Sequence, residues 1–242
     1  MAEELSTLEI LQGSFTFVFV IISIVLGLTI MSKYLKFKRR ELLLVGFTWI
    51  ALSSVYWPDA ITFITVLVSG EWVRSDIYYL LANILVAPVH ISWMLAMTDF
   101  MWKKRQNLLM IIISIEAIVF ETFLLTIWII DYNLVGARQS AFVVLWNPVV
   151  DLYLIVSIIL FLVTGAFFAR QSLKSENAEI KWKGKFILTA FILFSIGTML
   201  DVITVNPTEI TIVLARTFVI SAAFAFYVGF TMPKWLKTLL IK

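Results

Sequence analysis

The sequence predicts an all-α integral membrane protein: a single seven-transmembrane-helix bundle with the N-terminus outside and the C-terminus in the cytoplasm. Hydrophobic residues make up 61% of the chain and charged residues only 14%, whereas a soluble domain has roughly 45–50% and 25%. Seven apolar runs each reach the length of about 20 residues that a bilayer requires. Basic residues are concentrated in alternate connections between these runs.

The predicted spans follow from these runs and from the polar connections between them. In chain order they are Ile10–Met31, Leu42–Val68, Ile77–Phe100, Leu108–Ile130, Ala141–Ala169, Phe186–Val205 and Ile210–Phe230. Because every connection is short, residues 1–242 are expected to form one domain. The acidic start MAEELSTLE is unlike the basic start of a signal peptide, so we expect the first span to remain in the mature protein.

The first four spans differ in the polar residues that they carry. The first is bounded by the strongly basic connection SKYLKFKRRE. In the second, VYWPDAITF contains Pro58, which is expected to bend the helix beside Asp59. The third, NILVAPVHISW, contains Pro88 next to His90, and the fourth carries Glu121. Ionisable side chains inside spans are functional candidates by default.

The last three spans carry the remaining candidates. In the fifth, LWNPVVDLY places Asn147 and Asp151 four residues apart, on one face of a helix. The sixth ends near Asp201 and the seventh contains Arg216. The short connection NPTE makes these two spans antiparallel neighbours. Three proline-bent spans, each with a nearby polar group, predict a cavity open to the outside; bent helices that bind no ligand are the alternative.

Lysine and arginine determine the predicted orientation. Sixteen of the 19 basic residues lie in the first, third and fifth connections and in the tail, whereas Arg74 and Arg138 lie in other connections. The positive-inside rule therefore assigns the basic side to the cytoplasm of a multi-pass protein of the cell membrane. Aromatic residues are expected to mark the outer membrane interface; they are Trp72, Tyr78, Tyr79, Trp128 and Tyr132.

Arg216 is the remaining basic residue, and its guanidinium is costly to bury in hydrocarbon. A rise of about 1.5 Å per residue puts four carboxylates at a comparable depth. Asp201 is the predicted partner and Asp59 the second choice. An ion pair that only stabilises the helices is the alternative, and for His90 the alternative is a hydrogen bond to a neighbouring helix. The candidate ligand-binding residues are Arg216, Asp201, Asp59, Asp151, Asn147, His90 and Glu121.

Several function classes are excluded or disfavoured by residue content. The chain contains no cysteine and one histidine, which excludes disulfides, thiolate nucleophiles, thiolate metal sites and cofactors held by several histidines. No spacing suggests a metal site or a nucleophile–base pair, so we expect neither an enzyme nor a bound cofactor. Retinal is excluded because no lysine lies inside a predicted span. No part of the sequence suggests a partner nucleic acid.

The order of several segments resembles a known family. These segments are KFKRRELLLVGFTWIAL, VHISWMLAMTDF, FFARQSLKSENAEIKWKGKFILTAFILFSIGTMLD and YVGFTMPKWLK. Together they look like the seven-helix sensor modules at the N-terminal end of archaeal and bacterial histidine kinases, which have a rhodopsin-like architecture; here the retinal lysine is missing. In those proteins a kinase follows the last helix. Because this chain stops at Lys242, the resemblance implies a stand-alone relative that either signals through another protein or has a different function.

Two functions are compatible with these features. The first is a receptor-like sensor in the lipid bilayer that binds a small ligand or protons from outside and signals through a cytoplasmic or membrane partner. The second is a proton- or ion-coupled small transporter or channel. Its proton relay would use residues spread through the membrane depth, namely Asp201, Glu121, Glu116, His90 and Asp99. The absence of a convincing internal repeat argues against transport.

Overall fold

A computed structural model describes residues 5–204 and 207–241. Within these ranges, seven helical segments are long and apolar enough to cross a membrane, as the sequence predicts. They are Thr7–Phe37, Arg40–Ser69, Ser75–Phe100, Lys103–Ile130, Pro148–Leu173, Ala178–Ile203 and Glu209–Thr231. The predicted end of the sixth span, Val205, lies outside the described residues, as do residues 1–4 and Lys242. The prediction of seven long apolar helices, each able to cross a membrane, is therefore confirmed.

Two of the seven segments are divided into shorter helices. The α-helices are α1 (Thr7–Phe37), α2 (Arg40–Leu52), α3 (Trp57–Ser69), α4 (Ser75–Asn83), α5 (Val86–Phe100), α6 (Gln106–Ile130), α7 (Pro148–Leu173), α8 (Ala178–Ile203), α9 (Glu209–Thr231) and α10 (Lys234–Leu240). Three short 3₁₀ turns occupy Ser53–Tyr56, Lys103–Arg105 and Tyr132–Leu134. Strands β1 (Gly136–Arg138) and β2 (Val144–Trp146) complete the described elements.

Prolines cause both divisions, as predicted for the second and third spans; the bend predicted in the fifth span is wrong, because Pro148 is the first residue of its helix. In the second segment a 3₁₀ turn separates α2 from α3, and Pro58 lies in the first turn of α3. In the third segment the chain leaves the α-helix at Ile84 and Leu85, and Pro88 lies in the first turn of α5. A proline lacks the amide hydrogen that an interior helical residue would donate, and this loss is tolerated in the first turn. Each break brings a polar residue, Asp59 or Asn83, to the end of a helix.

The predicted start of the fifth span, Ala141, is wrong. The residues from Gly136 to Trp146 form an antiparallel hairpin in which Gly136 pairs with Trp146 and Arg138 with Val144. Helix α7 begins only at Pro148, with Asn147 as its N-cap. The apolar run AFVVLW resembles the start of a span, but its β-branched and aromatic residues suit a strand equally well. Asp151 therefore lies in the first turn of α7 rather than deep in a helix.

Six of the seven segments surround the interior as a closed ring. Helix α1 packs against α2 and against α9, and α9 packs against α8. Helix α8 packs against α7, α7 against α5, and α5 against α2. Helix α6 packs mainly against α5 and so lies on the outside of the ring. Its apolar residues, such as Ile118 and Val119, are about two-thirds exposed.

Helices α8 and α9 approach each other closely at Gly197. A β-carbon at this position would lie 2.9 Å from the carbonyl oxygen of Ala215, a contact that side chains do not make. Gly197 lies one turn before Asp201, and Ala215 adjoins Arg216. The missing side chain therefore lets the two helices bring Asp201 and Arg216 together.

Candidate functional site

A cavity of about 260 Å³ lies inside the ring, at the end of the bundle that carries the β-hairpin. We call this end the hairpin end. The cavity is lined by residues of α1, α2, α3, α4, α5, α7, α8 and α9, of the 3₁₀ turn Ser53–Tyr56 and of the hairpin; within the described chain α6 contributes none. Its charged lining residues are Asp59, Asp151, Asp201 and Arg216. Four of the seven residues predicted to form a ligand site are thus brought together.

Arg216 forms the centre of this group. Its side chain is 3% exposed, and its Nη1 donates a 2.5 Å hydrogen bond to Oδ2 of Asp201. The Nη2 atom lies 3.9 Å from Oδ2 of Asp59. The predicted order of partners, Asp201 before Asp59, is therefore confirmed. A guanidinium buried in this way needs carboxylates, because an unpaired charge in the interior costs several kcal/mol.

Two tyrosines complete the ionic cluster. The hydroxyl of Tyr56 donates a 2.7 Å hydrogen bond to Asp201, and its ring lies 4.8 Å from the guanidinium carbon of Arg216. The hydroxyl of Tyr78 donates to Oδ1 of Asp59. The prediction that Tyr78 and Tyr79 mark a membrane interface is wrong, since both are buried. A tyrosine's sequence position near a span end does not reveal whether its ring points outward or inward.

Three buried polar atoms that line the cavity have no hydrogen-bond partner among the described residues. They are Oε1 of Gln12, Oδ1 of Asn83 and Nε of Arg216. Asn83 is fully buried, and its amide nitrogen donates to the carbonyl of Tyr79 at 2.9 Å, which leaves the oxygen available. Buried polar atoms are nearly always hydrogen-bonded. Three exceptions on residues of one cavity wall therefore leave hydrogen-bonding capacity that the described chain does not use.

The hairpin covers this end of the cavity and is held by Arg138. Residues 142–146 contribute to the cavity wall. The guanidinium of Arg138 donates to the carbonyl oxygens of Val73 and Ala141, both at 2.6 Å, and lies over the ring of Tyr78. The backbone amide of Arg138 donates to the hydroxyl of Tyr79 at 2.9 Å. Tyr78 thus contacts both the ionic cluster and the arginine that holds the hairpin.

The prediction that Asp151 and Asn147 share one face of a helix is wrong, because Asn147 precedes the helix. Asp151 lines the cavity, and its carboxylate makes no hydrogen bond or ion pair with another described residue. Asn147 precedes the helix, where its side chain accepts from the amide of Val149 at 2.9 Å and donates to the carbonyl of Leu134 at 3.1 Å. Asn147 is therefore a capping residue, and it is not among the residues that line the cavity.

His90 lies outside the cavity lining, in a second polar group. It is 1% exposed, and its Nδ1 atom lies 3.1 Å from Oε1 of Glu116 and 3.3 Å from the hydroxyl of Tyr153. These contacts link α5, α6 and α7. This geometry fits the alternative given above, a histidine hydrogen-bonded to neighbouring helices. Its ring is separated from the cavity by the ring of Phe161, which contacts His90 and lines the cavity.

Glu121 is also away from the cavity lining because it lies on α6, outside the ring. Its two carboxylate oxygens are buried and have no partner in the described part of the chain. Asp99 is paired with Arg40 and Lys103. No hydrogen bond or ion pair between described residues joins the groups of Asp201, His90 and Asp99, so the predicted relay is not continuous. Depth along a helix gave no information about the direction in which each side chain points.

The cavity can thus offer a charged and hydrogen-bonding surface to a small molecule, beside an apolar wall. Sequence reasoning missed Gln12, Tyr56 and Tyr78 as part of this surface; it associated Asn83 with the proline of the third span but did not include it among the ligand-binding residues. Tyr56 adjoins the other proline break, which is the signal that could have identified it. Comparison with known proteins gives no name to this arrangement. No protein-family model, curated protein or solved structure matches the chain.

Proposed function

We propose that this protein is a receptor-like sensor of the cell membrane that binds a small ligand in the cavity and signals through a cytoplasmic or membrane partner. The observation that carries the proposal is the cavity at the hairpin end, whose wall includes the Arg216 cluster and three residues with a buried polar atom that has no partner in residues 5–204 and 207–241. A charged cluster of this kind is weak evidence for stability alone, whereas its unsatisfied atoms suit ligand binding.

The same cavity supports a sensing role because its wall is built from six of the seven spans. A ligand that contacts Asp59, Asn83 and Arg216 would touch three of them at once. The first two residues adjoin the proline breaks, where the helical hydrogen-bond ladder is already interrupted. A ligand shifts a conformational equilibrium only by its differential affinity for the two states. A ligand that contacts residues at two breaks would bind with different affinity to conformations that differ in the bend at those breaks.

The proposed orientation places the hairpin end outside the cell and the basic end in the cytoplasm. Single cysteines test it directly, because the chain contains none. Glu71→Cys in the connection before α4 and Glu176→Cys in the connection before α8 are matched, exposed positions. A membrane-impermeant maleimide applied to intact cells should label Glu71→Cys only. Labelling of Glu176→Cys only would reverse the orientation.

Ligand binding is tested on the purified protein by thermal unfolding across a panel of amines, carboxylates, amino acids, inorganic ions and pH values. A sensor should be stabilised by at least one class, through preferential binding to the folded state. Reconstituted in liposomes, it should show no flux of that compound. If nothing in the panel changes the melting temperature, the sensor proposal loses its basis; if the stabilising compound crosses the liposome membrane, the transporter alternative takes its place.

A further inference from the structure

The polar lining of the cavity carries information about the charge of its ligand. Three of the four charged lining residues are carboxylates, Asp59, Asp151 and Asp201, and one is a guanidinium, Arg216. Two of the three unpartnered buried atoms, Gln12 Oε1 and Asn83 Oδ1, are hydrogen-bond acceptors. The described lining is therefore negative in formal charge and rich in acceptors.

An anionic ligand does not fit this lining well. The guanidinium of Arg216 already donates to Asp201 at 2.5 Å and has Asp59 at 3.9 Å. An anion bound there would have to displace one carboxylate and would then lie beside it. Like charges brought together in a desolvated site repel strongly, because screening by water is reduced. The unpartnered Nε of Arg216 can instead donate to a neutral acceptor or to water.

A metal ion is also disfavoured by the donor groups. Within residues 5–204 and 207–241, no three His, Cys, Asp or Glu side chains are grouped as metal ligands. Asp59 and Asp201 both face Arg216, whose positive charge opposes a second cation between them. An organic cation can bind away from Arg216, with its charge beside Asp151, whose carboxylate makes no hydrogen bond or ion pair with another described residue, and with its body elsewhere in the cavity.

The rest of the cavity supplies the place for such a body. Much of the wall is apolar, with Leu52, Val55, Val86, Leu154, Ile158 and Phe161 among its residues. The volume is about 260 Å³, whereas an engineered apolar cavity of about 150 Å³ holds one benzene molecule. The space therefore accommodates a ring of that size together with a short charged chain.

We infer that the ligand is a small organic ammonium compound, whose N–H groups face the carboxylates and amide oxygens and whose compact apolar body lies against the hydrophobic wall. The inference rests on the proposed ligand-binding function and specifies its ligand class. An ammonium group is a donor with no acceptor capacity, which complements the acceptor-rich lining. Asn83 is the residue that tests this complementarity best, because its oxygen is fully buried and unpartnered within the described structure.

The experiment uses three probes of similar shape and different charge: 2-phenylethylammonium, 2-phenylethanol and 3-phenylpropanoate. Thermal unfolding of the purified full chain is followed over a concentration series of each. We expect the ammonium to raise the melting temperature by about 3–6 °C at ten times its Kd, and the other two probes to leave it within about 1 °C. Stabilisation by the carboxylate or the alcohol, without the ammonium, would overturn the inference and leave the sensor proposal standing.

Asn83→Leu removes the acceptor and keeps a similar volume, and Gln12→Leu provides a second variant if the first does not fold. Each should weaken ammonium binding at least about tenfold, the effect of losing one hydrogen bond to a charged group. Ser23→Ala is the matched control, since its hydroxyl is also buried and unpartnered within the described chain but lies outside the cavity lining. Unchanged ammonium binding in the leucine variants would place the compound elsewhere and overturn the inference.

The outcomes separate the two proposals. If 2-phenylethylammonium raises the melting temperature of the parent chain, and this rise is lost in Asn83→Leu and Gln12→Leu, the inferred ligand class is supported. If the protein carries the ammonium compound across liposome membranes, the inferred ligand class stands but the sensor proposal is overturned. No stabilisation by any of the three probes overturns the inferred class, and the broader panel described above then decides whether the cavity binds a different compound.

Discussion

Two ion-pair clusters lie at opposite ends of the bundle and differ in how fully their charges are satisfied. At the basic end, Asp99 accepts two hydrogen bonds from Arg40, at 2.7 and 2.5 Å, and one from Lys103 at 2.7 Å. Both cations there are more than half exposed. At the hairpin end, Arg216 is buried, has one close carboxylate and one distant carboxylate, and keeps an unpartnered Nε within the described structure.

The difference separates an exposed ion pair whose charges are satisfied from a buried one that lines the cavity. Both carboxylate oxygens of Asp99 accept hydrogen bonds. The remaining N–H groups of Arg40 and Lys103 can donate to water, because these side chains are exposed. In the Arg216 cluster the guanidinium and Asp59 are shielded from solvent and the Asp201 side chain is 29% exposed, while Nε of Arg216 has no partner among the described residues. We therefore expect the Asp99 cluster to contribute little to the free energy of unfolding, and this contribution to depend on salt. We expect the Arg216 cluster to contribute more, and its contribution to depend on ligands.

The largest expected effect is that of Arg216→Met. The substitution keeps an apolar chain of similar length but leaves Asp201 and Asp59 without their cation in the interior. We expect a loss of about 3–5 kcal/mol in the free energy of unfolding, measured by reversible denaturant titration in bicelles. The double variant Arg216→Met with Asp201→Asn should recover part of that loss. A loss below about 1 kcal/mol would mean that the two clusters do not differ as described.

Tyr78→Phe tests whether the tyrosines belong to the buried cluster. The substitution removes only the hydroxyl that donates to the Asp59 carboxylate. A hydrogen bond to a charged group contributes about 1.5–3 kcal/mol, and we expect a loss of that size in the same titration. Tyr132→Phe is the matched control, because Tyr132 is 40% exposed and should change stability by less than about 0.5 kcal/mol. Equal effects of the two variants would contradict the assignment.

Arg40→Ala should cost only about 0.2–1 kcal/mol, the usual contribution of an exposed ion pair. Asp99 would keep its hydrogen bonds from Lys103 and from the Gln106 amide, at 2.7 and 2.9 Å. The same titration measures the loss, and Arg39→Ala, at a neighbouring exposed position, serves as a control. A loss as large as that of Arg216→Met would remove the distinction between the two ends.

Salt gives the smallest expected effect. Raising the KCl concentration from 0.1 to 1 M shortens the Debye length from about 10 to about 3 Å. We expect the cost of Arg40→Ala to shrink towards zero and the cost of Arg216→Met to stay constant, since screening ions do not reach a buried pair. Stability of both variants and of the parent chain is compared at the two concentrations. Equal salt sensitivity would indicate that Arg216 is open to solvent.

The fold was largely predictable because composition and the length of apolar runs are strong constraints on a membrane protein. The two proline breaks and the Arg216–Asp201 pair also followed from local chemistry and from a short connection. The hairpin did not, because AFVVLW is as compatible with a strand as with a span. Asn147 was consequently placed inside a helix that it only caps.

The radial position of each helix was not predictable either. Hydropathy and depth placed Glu121 level with Asp59, but they could not reveal that α6 lies outside the ring. His90 was likewise given a depth without a direction, and the structure turns it towards Glu116. Tyr56, Tyr78 and Gln12 entered the site only through tertiary packing, for which a single sequence carries little information.

The outer position of α6 has a consequence for how this chain tolerates substitution. Helix α6 does not line the cavity and packs mainly against α5. Few neighbouring side chains therefore restrict the size and shape of its residues. Its exposed residues, Ile118 and Val119 among them, need only stay apolar, so exchange among Ile, Leu, Val and Phe should be nearly neutral there. Libraries of random variants should therefore retain more mutations on this helix than on any other span.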